Sequence, residues 1–210
     1  MSGRLLAWLA FIGAQIVLGY AFRSQPDRNA VYHWSTPAQV LLVYGVYFGI
    51  VLAISREDTR ELLALRRPRS WSRAAGIAAV VLVAVIVLEQ VLEPFLHANR
   101  EQGLTPTKWE PAHAAAFVAS FIVFSLVGPF VEEATFRGLG FSLIAPYGVL
   151  LAIVSTGVLF GLAHGLVDAL PPLVALGIGL AYLRSKTDSL YPGFILHALF
   201  NAIALIAAVA

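Results

Sequence analysis

Two adjacent glutamates and an arginine interrupt an apolar stretch of the chain, PFVEEATFRG, which runs from Pro129 to Gly138. Glu133 and Arg137 are four residues apart, so on a helix they can form an ion pair with the acid on the N-terminal side, the more favourable order. Glu132 then points about 100° away around the helix and is left available as a general base. The alternative is that the stretch is a helix end at the membrane surface, where all three charges are solvated.

Two histidines further along the chain also lie in apolar stretches. His164 falls in LFGLAHG, with Phe160 one turn before it. His197 falls in FILHALFNAI, with Asn201 one turn after it on the same helix face. Taken singly, each histidine is more typical of a hydrogen-bonded packing residue, and the amide is more typical of a contact between helices.

Together, one carboxylate, two imidazoles and an amide form a set that could hydrolyse a bond with water. A carboxylate can deprotonate a water molecule, and a histidine can hold that water or pass its proton on. A second imidazole and an amide N–H can donate to an oxyanion. The chain has no cysteine and no H-E-x-x-H motif, which excludes a thiol nucleophile and that class of metalloprotease.

These residues need helices to position them, and the composition predicts helices that span a membrane. Of the 210 residues, 59% are hydrophobic and only 12% are charged, and the mean hydropathy is +0.80. The net charge of +2 is too small to indicate a nucleic-acid partner. We therefore predict an all-α, polytopic transmembrane bundle of about seven helices in a lipid bilayer. The predicted spans are Leu5 to Phe22, Pro37 to Ile54, Ala74 to Leu92, a fourth that begins near Ala112, Tyr147 to Leu166, Pro171 to Leu183, and Leu190 to Val209.

The distribution of basic residues predicts how the bundle is oriented. The most basic loop, from Ser55 to Arg73, lies in the cytoplasm by the positive-inside rule. The N-terminus then lies in the cytoplasm and the C-terminus outside. We expect an integral, multi-pass protein of a bacterial or archaeal plasma membrane.

The depths of the candidate residues agree only if the fourth helix is long. At about 1.5 Å per residue, Glu132 lies about 20 Å from the turn at Pro146, and His164 lies about 27 Å from it on the next helix. If the fourth helix stopped at Val131, Glu132 would be at the interface and His164 would face the opposite side. We therefore expect a continuous helix, kinked near Pro129 because proline lacks an N–H.

A rival set of ionisable residues lies at the end of the third predicted span. Glu89, Glu93 and His97 are spaced four residues apart and share a helix face, so they could bind a metal or relay protons. They directly follow an apolar run and precede a polar loop. A helix end at the outer interface is therefore the simpler interpretation.

Three short motifs, in order on successive hydrophobic helices, resemble those of the CPBP family, the CAAX-processing and bacteriocin-processing proteins also called ABI. EEATFR matches E-E-x-x-x-R, FGLAH matches F-x-x-x-H, and HALFN matches H-x-x-x-N. The family consists of glutamate-type intramembrane proteases that are also described as metalloproteases. We accordingly divide the chain, as one structural domain, into N-terminal helices with the basic loop, 1–111, and a CPBP-like catalytic helical core, 112–210.

The resemblance implies a role for each matched residue. Glu132 would be the general base that activates water, and His164 would assist it. His197 and Asn201 would stabilise the oxyanion. Supporting roles would fall to Glu133, Arg137 and Phe160.

The cofactor and the substrate follow less directly from the sequence. Water activation without a metal is the preferred interpretation, and the alternative is a divalent zinc ion held by Glu132, His164 and His197. The family implies prenylated CAAX tails, bacteriocin leaders or C-terminal sorting signals as substrates, all of them hydrophobic, lipidated or membrane-spanning polypeptides. Two other functions stay open: a non-catalytic immunity or scaffold protein of the same fold, and a proton-coupled transport protein.

Overall fold

The structure is a computed structural model of the chain, and it describes residues 2–22, 27–96, 101, 106 and 108–209. These residues form seven long helices and no strand, which confirms the predicted all-α bundle. In chain order the helices are α1 (Gly3–Ala21), α2 (Ser35–Ser55), α3 (Trp71–Leu96), α4 (the continuous helical segment Pro111–Tyr147), α5 (Val149–Ala163), α6 (Leu170–Thr187) and α7 (Tyr191–Ala207).

The first four helices are long and apolar enough to cross a bilayer. They are α1, α2 with the short helical turns that continue it to Leu62, α3 and α4. α5 and α7 are shorter apolar helices. Since about 20 apolar residues span a bilayer, this architecture is that of an integral membrane protein.

α4 is continuous over its whole length, as the expected depths of Glu132 and His164 require. Two π-helical segments, Val123–Val127 and Ala134–Gly140, lie on either side of its α-helical stretch Gly128–Glu133. The first π-helical segment ends two residues before Pro129, near which the sequence predicts a kink. A π-helical turn changes the hydrogen-bonding register of the backbone, so the helix continues past a residue that has no N–H.

Side chains from two other helices bind the second π-helical segment. The indole Nε1–H of Trp8, on α1, donates to the Thr135 carbonyl oxygen at 2.9 Å. The Nε–H of Arg184, on α6, donates to the Arg137 carbonyl oxygen at 3.2 Å. Both donors are buried, so these bonds fix the turn that directly follows the two glutamates.

α5 and α6 approach each other closely through glycines. A Cβ atom at Gly177 would lie 2.6 Å from the Gly157 carbonyl oxygen, a distance that no side chain tolerates. Such contacts between small residues are typical of helix packing in membranes. They bring the backbone of α6 close enough to the middle of the bundle for the Gly177 carbonyl to contact a side chain of α4.

Ion pairs join several helix ends at one end of the bundle. The Arg4 guanidinium, at the start of α1, pairs with Asp58 at 2.5 Å, just beyond α2. Asp188 lies between α6 and α7, and it pairs with Arg66 at 2.8 Å and with Arg184 at 2.9 Å. We call this side of the molecule the arginine end.

Candidate active site

The two adjacent glutamates of α4 have different surroundings. The Glu133 side chain is fully buried, whereas 18% of the Glu132 side chain is exposed. Glu132 lines a cavity of about 460 Å³, and Glu133 does not. The two carboxylates are therefore separated into one that faces the cavity and one that faces the interior of the bundle.

Glu133 and Arg137 form the ion pair that their spacing predicts. The Arg137 Nη1–H donates to Glu133 Oε1 at 3.0 Å, and its Nη2–H donates to the Gly177 carbonyl oxygen at 2.8 Å. The guanidinium carbon lies 4.3 Å from the centre of the Phe160 ring, a cation–π contact. This buried charge is thus held by a carboxylate, a backbone carbonyl and an aromatic face.

His197 lies between the two carboxylates. Its Nδ1 is 3.2 Å from Glu133 Oε1, and its Nε2 is 3.6 Å from Glu132 Oε2. Because a carboxylate only accepts, the Nδ1–H donates to Glu133. The imidazole therefore connects the buried ion pair to the carboxylate in the cavity.

His164 lies directly after the last residue of α5 and lines the same cavity as Glu132. Its Nδ1 is 2.7 Å from the Phe160 carbonyl oxygen. A carbonyl can only accept, so Nδ1 carries the hydrogen and the Nε2 of the neutral ring is free to accept a proton. The Phe160 ring packs edge-on against both histidines, with centroid distances of 4.7 Å to His164 and 5.6 Å to His197.

Asn201 lies one turn beyond His197 on α7. Its side-chain amide donates to the Phe124 carbonyl oxygen at 2.9 Å. Phe124 belongs to the first π-helical segment and lines the Glu132 cavity. The hydrogen bond thus directs one N–H group of the amide to the backbone of a residue that lines the cavity, whereas Asn201 itself does not line it.

The N-terminal helices contribute residues that the sequence analysis missed. The Tyr44 hydroxyl, on α2, donates to Glu132 Oε1 at 2.5 Å. Gln15 of α1, and Gln39 and Tyr47 of α2, line the same cavity. Tyrosines in membrane proteins concentrate at the two interfaces, so the position of Tyr44 in the middle of α2 was the available signal.

The geometry does not fit the alternative in which zinc is held by Glu132, His164 and His197. Among residues 2–22, 27–96, 101, 106 and 108–209, no three His, Asp or Glu side chains are arranged to hold a metal ion. The Nδ1 hydrogen bonds of both histidines leave their Nε2 atoms available, and the Nε2 of His197 lies 3.6 Å from Glu132 Oε2. Of the rival set, Glu89 and Glu93 lie on α3, and His97 lies outside the described residues.

The part of the chain that contains the proposed site residues matches a known family. Residues 114–203 match the family described as type II CAAX prenyl endopeptidase Rce1-like. The match confirms the resemblance to the CAAX-processing proteins. We call residues 114–203, which are similar to this family of endopeptidases, the Rce1-like segment. No curated protein and no solved structure matches the chain significantly.

The Rce1-like segment contains all seven residues that the sequence motifs selected, from Glu132 to Asn201. It comprises less than half of the chain and leaves out α1, α2 and α3. The family match therefore leaves out Tyr44, Gln15 and Gln39, although these residues line the same cavity as Glu132.

Proposed function

We propose that the protein is an intramembrane endopeptidase in which Glu132 activates the water that hydrolyses a peptide bond. The observation that carries the proposal is the separation of the two glutamates. Arg137 pairs with Glu133, while Glu132 lies in a cavity with His164 and beside His197. A carboxylate with access to water and an imidazole nearby is suited to general base catalysis.

In this mechanism Glu132 takes a proton from water as the water oxygen attacks the carbonyl carbon of the substrate. The Nε2 of His164 accepts a hydrogen bond from the same water and orients it. The C–N bond then breaks, and the proton held by Glu132 passes to the leaving amine nitrogen. No covalent intermediate with the protein forms, and no protein nucleophile is needed.

The carbonyl oxygen becomes an oxyanion during the attack, and we assign its stabilisation to His197 and Asn201. An imidazole and an amide N–H can both donate to an oxyanion in a site from which most water is excluded. Glu133 accepts from the Nδ1–H of His197 and so orients the ring, and the donor to the oxyanion is the Nε2–H of the protonated ring. Arg137 and Phe160 hold Glu133 and the two histidines in place.

We also propose different roles for the parts of the chain before and after residue 111. Residues 112–210 supply the groups that act on the peptide bond, and residues 1–111 supply walls of the cavity and Tyr44. The substrate is a hydrophobic, lipidated or membrane-spanning polypeptide, because the site lies among helices that cross a bilayer.

The proposal is tested with the purified protein in lipid nanodiscs and a library of membrane-anchored peptides, with cleavage followed by mass spectrometry. Glu132→Gln removes the base and keeps the shape, so turnover should fall by about 10² to 10⁴-fold. Glu89→Gln is the matched control, since Glu89 is a carboxylate of α3 that does not line the cavity. Wild-type turnover in Glu132→Gln would contradict the proposal.

A chelator separates this mechanism from one that uses a metal. Because the donors do not group around a common point, we expect turnover to be unchanged after dialysis against a strong chelator. Activity that disappears on dialysis and returns with added zinc would contradict metal-free water activation.

A further inference from the structure

This inference rests on the proposed function and concerns the side of the membrane from which the substrate enters. The Glu132 cavity extends away from the arginine end. Gln39 and Val40, which line it, lie in the first turns of α2, and Ala163 and His164 lie at the end of α5. The arginine end is at the opposite ends of these helices, beyond Ser55 of α2.

The charges of the chain are distributed unequally between the two ends. Nine of its 14 lysines and arginines fall at the arginine end: Arg4, six arginines from Arg56 to Arg73, Arg184 and Lys186. Among the described residues, Arg28 and Lys108 lie in the segments at the other end, and Arg137 lies between. The positive-inside rule therefore places the arginine end in the cytoplasm.

A second cavity, of about 510 Å³, lies at the arginine end itself. Arg66, Arg69, Arg184 and Lys186 are among its lining residues. It shares no lining residue with the Glu132 cavity and contains none of the residues to which we assign catalysis. This cytoplasmic-side cavity is therefore separate from the site.

The lining of the Glu132 cavity indicates what kind of polypeptide it accepts. Among the described residues that line it there is no lysine or arginine, and Glu132 is the one carboxylate. The rest are apolar residues, two glutamines, two tyrosines, a threonine and His164. A free C-terminal carboxylate would meet no cationic side chain there and would be repelled by Glu132. An uncharged internal segment suits this lining better.

We propose that the cavity opens on the non-cytoplasmic side of the membrane. Its substrates are membrane-anchored polypeptides whose scissile bond lies on that side, within an uncharged segment next to the anchor. A prenylated tail that ends in the cytoplasm would reach the arginine end and not the Glu132 cavity.

The sidedness is measured with single cysteines, for which the cysteine-free chain needs no background substitution. Gln39→Cys reports on the cavity and Lys186→Cys on the arginine end, and both positions are exposed. A membrane-impermeant maleimide should label Gln39→Cys in intact cells and Lys186→Cys only after permeabilisation. Labelling of Lys186→Cys in intact cells, or protection of Gln39→Cys until permeabilisation, would overturn the proposal. Repeating the labelling in the Glu132→Gln background makes the result independent of catalysis.

The substrate class is measured with two reporter libraries that share one transmembrane anchor. One library carries random uncharged segments on the outer side of the anchor, and the other carries them on the cytoplasmic side. We expect cleavage of the outer library alone, and its loss in Glu132→Gln. Cleavage of the cytoplasmic library would overturn the sidedness and leave the peptidase proposal standing, whereas no cleavage of either library would contradict the peptidase proposal.

Discussion

The N-terminal helices α1 to α3 and the Rce1-like segment differ in what they bury. In the most apolar stretch of α4, 44% of the residues are buried, against 11% in those of α2 and α3. Glu133, Arg137, Arg184 and His197 are all buried within the Rce1-like segment, whereas the buried polar residues of the described N-terminal helices are Gln15 and Ser55. The Rce1-like segment thus contains the charged interior, and the N-terminal helices have mainly lipid-facing surfaces.

The comparison also shows that the cavity needs both regions. Tyr44 of α2 is hydrogen-bonded to Glu132. Trp8 of α1 is hydrogen-bonded to the backbone of α4, the helix that contains Glu132. The N-terminal helices therefore complete a site whose reactive groups come from the Rce1-like segment. Substitutions in the two regions should separate stability from turnover, with expected effects that range from several kcal/mol to less than one.

The largest effect is expected from breaking the buried ion pair of the Rce1-like segment. Arg137→Met leaves the buried Glu133 carboxylate without its guanidinium partner, which should lower the free energy of unfolding by about 3 to 5 kcal/mol. The double variant Glu133→Gln, Arg137→Met removes both charges and should recover part of that loss. Thermal unfolding in detergent measures both, and equal stability of Arg137→Met and the wild type would show that the pair does not hold the interior together.

The next largest effect is expected from a substitution in the Rce1-like segment that lowers turnover but not stability. His164→Ala removes the imidazole from the cavity and should lower turnover by about 10²-fold. Because His164 is only partly buried, its removal should leave the melting temperature nearly unchanged. His113→Ala is the control, since His113 is exposed and pairs with Glu110. A similar turnover for the two variants would remove His164 from the mechanism.

A smaller effect tests whether the N-terminal helices take part in catalysis. Tyr44→Phe deletes one hydrogen bond to Glu132 and should lower turnover about tenfold, the equivalent of about 1.4 kcal/mol, with little change in stability. Tyr47→Phe, on the same helix and in the same cavity, should have turnover close to that of the wild type. If Tyr44→Phe were equally active, α2 would contribute only a wall of the cavity.

The smallest effect concerns an ion pair that joins the two regions. Burial acts to raise the pKa of Asp188, but hydrogen bonds from Arg66 and Arg184 outweigh it and hold the pKa below its ordinary value of 3.8. The stabilisation is therefore fully present above that value and is lost as the pH falls through the lowered pKa. Since half of the Asp188 side chain is exposed, we expect no more than about 1 kcal/mol.

Asp188→Asn is the suitable variant, because asparagine also tolerates the left-handed backbone of Asp188, where φ is 52°. It should be slightly less stable than the wild type at neutral pH, and the difference should shrink as the pH falls below about 4. Chemical denaturation at several pH values measures it. A difference that grows on acidification would contradict the assigned cause.

Features that depend on local spacing were predicted from the sequence. The Glu133–Arg137 pair follows from a four-residue interval, and the length of α4 follows from the need to bring Glu132 level with His164. The position of His197 between both carboxylates was not predicted. It depends on how α7 is rotated against α4, and the spacing within one helix does not determine that rotation.

The contribution of the N-terminal helices was also not predicted. Tyr44 belongs to no motif, and a single tyrosine in an apolar helix is usually a packing residue. The same limit applies to zinc: Glu132, His164 and His197 have suitable chemistry for a metal site, but no three such side chains of the described residues are arranged to hold a metal ion. The sequence identifies candidate groups, whereas their arrangement in space is a property of the folded chain.

The two π-helical segments of α4 have a consequence for how the chain encodes this site. A π-helical turn is equivalent to one residue inserted into a regular helix, and each inserted residue rotates the remainder of the helix by about 100°. Glu132 lies between two such insertions, Val123–Val127 and Ala134–Gly140. Deleting one residue from the first would turn Glu132 away from the cavity while every side chain of the site stayed the same. The direction in which the Glu132 side chain points around the helix axis therefore depends on the number of residues in α4 as much as on their identities.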